Sequence, residues 1–171
     1  MAQVQNVADY IITLANKADK PITHRKLHQL LYFCQSQSLL NDNPLFDDDS
    51  ILKWRFGPVV LSVYDTYKRY GVGPIHTPDV RTYLNHQTWN ITIEPFDEMS
   101  LTTQEKELIT MTVTPLLTTN PSEIQKLFFK QPSWRKDREE LFKRNARPEY
   151  TNLEILSDVN EHPDLRRWLQ S

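Results

Sequence analysis

Leu52-Lys53-Trp54-Arg55-Phe56-Gly57-Pro58-Val59-Val60-Leu61-Ser62-Val63-Tyr64 is the stretch whose reading decides the fold. Residues 52–56 alternate apolar and charged, the period of a half-buried strand. On that period Leu52, Trp54 and Phe56 share the core face, and Lys53 and Arg55 take the other. Gly57 permits an unusual φ. Pro58 has the φ of a first helical residue and needs no donor there. The expected order is strand, turn, helix, with Val59, Val60, Val63, Tyr64 and Tyr67 carried inward. Lys53, Arg55 and the adjacent strand edge are left as a place where a partner could add.

Working outward, Val4, Val7, Ala8, Ile11, Ala15 and Ala18 recur at helical spacing and predict a first helix over about 4–18. Asp19-Lys20-Pro21 ends it. Thr23 is placed to cap a second helix with Leu27, Leu30, Leu31 and Cys34 on one stripe, flanked by Tyr32 and Phe33. So short a connection predicts antiparallel packing of the two. Beyond the central stretch, Tyr70-Gly71-Val72-Gly73-Pro74 closes the third helix. Residues 75–88 read as irregular or as a short helix. Trp89 to Phe96 alternates again, a second strand expected to pair with 52–56. Thr102 or Thr103 caps a helix that Pro115 kinks or stops. Asn120 caps the next, with Pro121 at its first position. Residues 158–170 read as a last helix.

At 171 residues with 39% hydrophobic and 25% charged content, the chain is expected to form one domain over 1–171 with a real core. Net charge is −2, so no global field draws it to nucleic acid or membrane. The single Cys34 excludes an intrachain disulfide and fits a reducing compartment. No apolar run is long enough to span a membrane. Met1 to Asn6 lacks the pattern of a signal peptide, so a cytoplasmic location is expected. With three glycines, unclustered for a phosphate loop, P-loop and Rossmann chemistries drop out.

Four features could carry chemistry. His24 and His28 stand at the i, i+4 spacing of a metal pair, but Arg25 beside them repels a cation. The plain alternative is two polar residues in a helix's first turns. Cys34 could be a nucleophile, or a small core residue on a leucine stripe. Asp47-Asp48-Asp49 could hold a divalent ion, or form a solvated loop without EF-hand spacing. Residues 126–147 hold eight Lys/Arg against three acids, with Phe129, Trp134 and Phe142 interleaved. That segment fits a solvated helical face, an interface for an acidic protein, or a nucleic-acid surface on which aromatics stack bases. No cofactor is implied by any of them.

Thr23 to Phe33, then Pro44-Leu45-Phe46-Asp47, then Trp54 to Val60, Val63-Tyr64 and Tyr70-Gly71 together resemble the Panacea domain of the GepA-like and SocA-like antitoxins. The order and spacing match over about residues 4–75. The resemblance implies a mainly α, compact multi-helix domain with a two- or three-stranded antiparallel β element. It also implies no enzymatic activity, and no metal is expected at the His24/His28 pair. Its implied role is that of an antitoxin, often carried by prophages, which neutralises a cognate toxin directly or delivers it to a cellular protease. The chain departs from the family's usual Gln-Lys pair at His28-Gln29 and from its Pro at Leu61. The family's Thr-His before Pro-Trp is absent from Phe128 to Trp134.

On this reading the toxin would meet an aromatic and basic surface anchored by Arg55, Tyr64, Tyr67, Trp134 and Arg135. The motif residues Trp54, Phe56, Gly57, Pro58 and Val59 would position it. The competing reading is a phage-associated regulator that binds nucleic acid through residues 126–147.

Overall fold

The computed structural model describes residues 1–162 and Asp164. Its first helix, α1 (Val4–Lys17), starts where the Asp48 carboxylate accepts the Val4 N–H at 2.9 Å. It buries Val4, Val7, Ala8, Ile11, Ile12 and Ala15. α2 (His24–Leu39) is capped by Thr23, whose hydroxyl accepts the Lys26 N–H. The sequence predicts one apolar stripe on α2, but residues 26–36 are buried all round. α2 is the axis of the fold, a helix with neighbours on every side.

The central stretch departs from its expected form. It is a hairpin, β1 (Ile51–Trp54) paired antiparallel with β2 (Gly57–Val60), and α3 (Leu61–Tyr67) begins only after it. Trp54 pairs with Gly57, which leaves Arg55-Phe56 as the turn. Gly57 supplies the positive φ, +121°, that lets so short a turn close. Pro58 therefore opens a strand, not a helix. It sits opposite Lys53, whose N–H points out of the hairpin to the Pro148 carbonyl at 2.7 Å. At such a pair the proline's missing N–H costs the ladder nothing. The outer edge of β1 is occupied as well: the Tyr150 N–H donates to the Ile51 carbonyl at 2.8 Å. That edge is not free for a partner.

The faces of β1 are the reverse of those expected. Ile51 and Lys53 point in, Trp54 is half-buried, and Phe56 stands 70% exposed at the turn. The inward ammonium is held by Asp137 at 2.6 Å and Glu154 at 3.0 Å, and lies 5.0 Å from the Tyr150 ring centre. Period-2 reading assigns a lysine outward because it cannot see two carboxylates roughly a hundred residues away.

The strand expected at 89–96 forms as β4 (Ile91–Glu94). Its partner is β3 (Arg81–Leu84), inside the stretch expected to be irregular. This second hairpin is a separate sheet from β1–β2. α4 (Thr103–Val113) opens on a reciprocal Thr102–Glu105 capping box and passes at Pro115 into a 3-10 turn. α5 (Pro121–Lys130) follows the Asn120 cap. α6 (Pro132–Lys136) and α7 (Arg138–Lys143) are short. α8 (Asn152–Glu161) starts earlier than expected, at a second capping box of Thr151 and Glu154. The C-terminal part of the helix expected over 158–170 lies outside the described residues. Among the described residues no helix is long and apolar enough to cross a membrane.

Candidate functional site

The β1–β2 turn, the first turn of α2, α3 and the first turn of α5 enclose an open groove of about 640 Å³. Trp54, Phe56, Pro58, Val59 and Tyr64 line it, so five of the residues singled out in the sequence meet at one place. Tyr64 is the hub of its aromatic wall, with the Trp54 and His24 ring centres each 4.9 Å from its own. The far side of Trp54 is closed by the Arg147 guanidinium, 4.4 Å from the ring centre.

Beneath this wall lie His24, Arg25, His28 and Gln29 of α2. The Val60 N–H donates to His28 Nδ1 at 3.2 Å, so that nitrogen carries a lone pair and the ring proton sits on Nε2. Burial, with His24 beside it, pushes the His28 imidazole down to about 3. It is neutral at physiological pH, and its Nε2–H has no partner among the described residues. Burial also lowers His24. Gln29 donates its amide to the Pro121 carbonyl at 2.9 Å, and its Oε1 is left over.

Seven buried side-chain polar atoms lack a partner among the described residues, and six line this groove. They are His24 Nδ1, Arg25 Nε and Nη2, His28 Nε2, Gln29 Oε1 and Trp54 Nε1. Leaving one such group unpaired costs about 1–3 kcal/mol, so their gathering along one groove singles that groove out. A larger recess of about 1,020 Å³ between the end of α2 and α4 gathers only the seventh, Gln37 Oε1.

The remaining expected residues lie elsewhere. Tyr67 is in the core, its hydroxyl donating to Asp9 and accepting the Asp79 N–H. Trp134 is buried, 4.6 Å from the Phe129 ring, and its indole N–H donates to the Trp54 carbonyl at 3.1 Å. Arg135 is exposed on α6. Arg55 leaves the groove for the Leu141 and Phe142 carbonyls, at 3.2 and 3.3 Å. Gly57 is buried against Phe128.

The other candidate chemistries resolve into structure. The His24 and His28 rings sit 4.7 Å apart, and among the described residues no three His, Cys, Asp or Glu side chains cluster to hold a metal. Cys34 is fully buried, which pushes its thiol up and away from nucleophilic character. Asp48 caps α1, and Asp49 accepts the Ser62 N–H at the start of α3. In the basic segment Lys136, Lys143 and Arg144 pair with Glu154, Glu139 and Glu140. Trp134 is withdrawn from solvent, and the Arg55 and Arg138 guanidinium groups lie 5.5 and 5.9 Å from the Phe142 ring centre.

Sequence reasoning missed Arg25 as a groove residue and treated it only as a charge hostile to metal. Its signal was position: three residues before His28, on the same helical face. No curated protein and no solved structure gives a significant match. The model of the antitoxin SocA-like family, Panacea domain, matches residues 27–135, from the first turn of α2 through both hairpins to α6, and the chain belongs to that family.

Proposed function

We propose that this chain is an antitoxin that neutralises a cognate toxin by direct contact at the groove and the Arg55-Phe56 turn beside it. One observation carries the reading. Trp54, Phe56, Pro58 and Val59 of the motif and Tyr64 wall a single open groove, and six buried polar atoms of its lining residues lack partners among the described residues. Phe56 and Val72, on its lining, are 70% and 97% exposed, apolar surface that a protein partner would cover. With three of its eight cations held in ion pairs and Trp134 withdrawn, the 126–147 segment is less suited to nucleic acid.

The test is co-expression with the product of the adjacent gene, scoring growth and co-purification. Phe56→Asp removes exposed apolar surface without entering the core. It is expected to abolish rescue and capture while the protein stays folded. Full rescue by Phe56→Asp would defeat the assignment of this surface. Following the toxin's half-life separates masking, which leaves toxin levels intact, from delivery to a protease, which lowers them.

A further inference from the structure

The unpaired atoms of the groove have a definite polarity. Arg25 Nε and Nη2, His28 Nε2 and Trp54 Nε1 are all donors, and Gln29 Oε1 is the one fixed acceptor. Nε and Nη2 form the side-on edge of a guanidinium, the fork that takes both oxygens of a carboxylate. Arg25 makes no ion pair or side-chain hydrogen bond with the described residues, and no Asp or Glu lines the groove. The first turns of α2 and α5 both open onto it and add partial positive charge. With one full cation, the lining matches a singly charged group better than a phosphate dianion or a run of nucleic-acid phosphates.

We infer that the groove receives an Asp or Glu side chain of the bound toxin, its carboxylate on the Arg25 fork and within reach of the His28 and Trp54 N–H groups. Apolar neighbours of that side chain cover Phe56 and Val72, which a free small carboxylate would leave in water. The source of the carboxylate rests on the antitoxin reading; the donor arrangement does not.

The probes are two blocked dipeptides, N-acetyl-leucyl-glutamyl amide with its side-chain carboxylate free, and its glutaminyl counterpart. Each is titrated into ¹⁵N-labelled protein while the Trp54 indole and His28 imidazole N–H signals are followed. The acidic peptide is expected to shift both signals saturably and to bind about tenfold tighter than the neutral one, the difference between charge-assisted and neutral hydrogen bonds. Arg25→Met should erase that preference, and Arg25→Lys should restore part of it. Equal affinities, a preference that survives Arg25→Met, or no saturable shift of these two signals would overturn the proposal.

Growth rescue against the flanking gene's product is scored with the same proteins. Rescue that weakens in Arg25→Met supports the proposal. Undiminished rescue by Arg25→Met overturns carboxylate capture and leaves the antitoxin reading standing. Peptide selectivity in a protein that never rescues overturns the toxin as the source and leaves the site standing.

Discussion

Asp9 should act as a pH-dependent burden on the fold, and Asp9→Asn should lift it. The carboxyl sits on α1 with 1% exposure. It accepts the Tyr67 hydroxyl of α3 and the Gln5 amide at 3.0 Å. Burial pushes it up to about 6 from 3.8, despite the downward pull of those two hydrogen bonds and of the Arg81 charge. The folded pKa is raised, so the stabilising contribution is full below about pH 4 and is lost as pH rises through about 6. A shift of this size is worth about 3 kcal/mol between the two limits. Asparagine keeps an oxygen for Tyr67 and carries no charge. Its amide nitrogen brings two donors where a protonated carboxyl brings one, at a cost of about 1 kcal/mol.

Asp9→Asn is therefore expected to be about 2 kcal/mol more stable than the parent near pH 7.5, and about 1 kcal/mol less stable near pH 4. Urea unfolding followed by tryptophan fluorescence at the two pH values reads both numbers, and every other titrating group cancels in the difference. A stability difference that is the same at both pH values would refute the burial argument. The consequence reaches the groove, because Tyr67 follows Tyr64 on α3 by one turn and anchors that helix to α1.

Lys53→Met strips the counter-charge from Asp137 and should cost about 3 kcal/mol by chemical denaturation, the low end for a buried pair because both acids touch solvent. Lys26 is buried with only the Thr119 carbonyl as its side-chain partner among the described residues, and burial lowers it to about 8 from 10.5. Lys26→Met should then stabilise by about 1–2 kcal/mol below pH 8, an advantage that fades by about pH 10.5 as the parent's lysine discharges in both states. Gly57→Ala should cost about 1–2 kcal/mol from its positive φ, since a Cβ there meets Phe128 only at an ordinary 3.7 Å. Trp134→Ala should cost about 3–5 kcal/mol of folding free energy, whereas Arg135→Ala should leave the melting temperature unchanged. Lost neutralisation in the first would report on the fold; only the second probes the surface.

What could be read from the chain followed from whether the deciding interaction is local. Helix starts are local, so Thr23, Thr102 and Asn120 were legible as caps and Pro121 as a first helical residue. Thr151-x-x-Glu154 carries the same local signal, a capping box that marks the start of α8. Gly-Pro is local but ambiguous. Proline suits the first turn of a helix and also a strand pair whose N–H faces outward, and the choice falls to Pro148, ninety residues on. Lys53 failed for the same reason, because its inward turn depends on Asp137 and Glu154. The groove was half legible. Most of its aromatic wall lies within one motif, whereas the His28 proton is assigned to Nε2 only when β2 takes Nδ1. Alternation identifies a strand but cannot assign its inward face when a buried charge finds partners far along the chain. In this fold, that inverted face leaves Phe56 in solvent at the lip of the groove, where a partner can reach it.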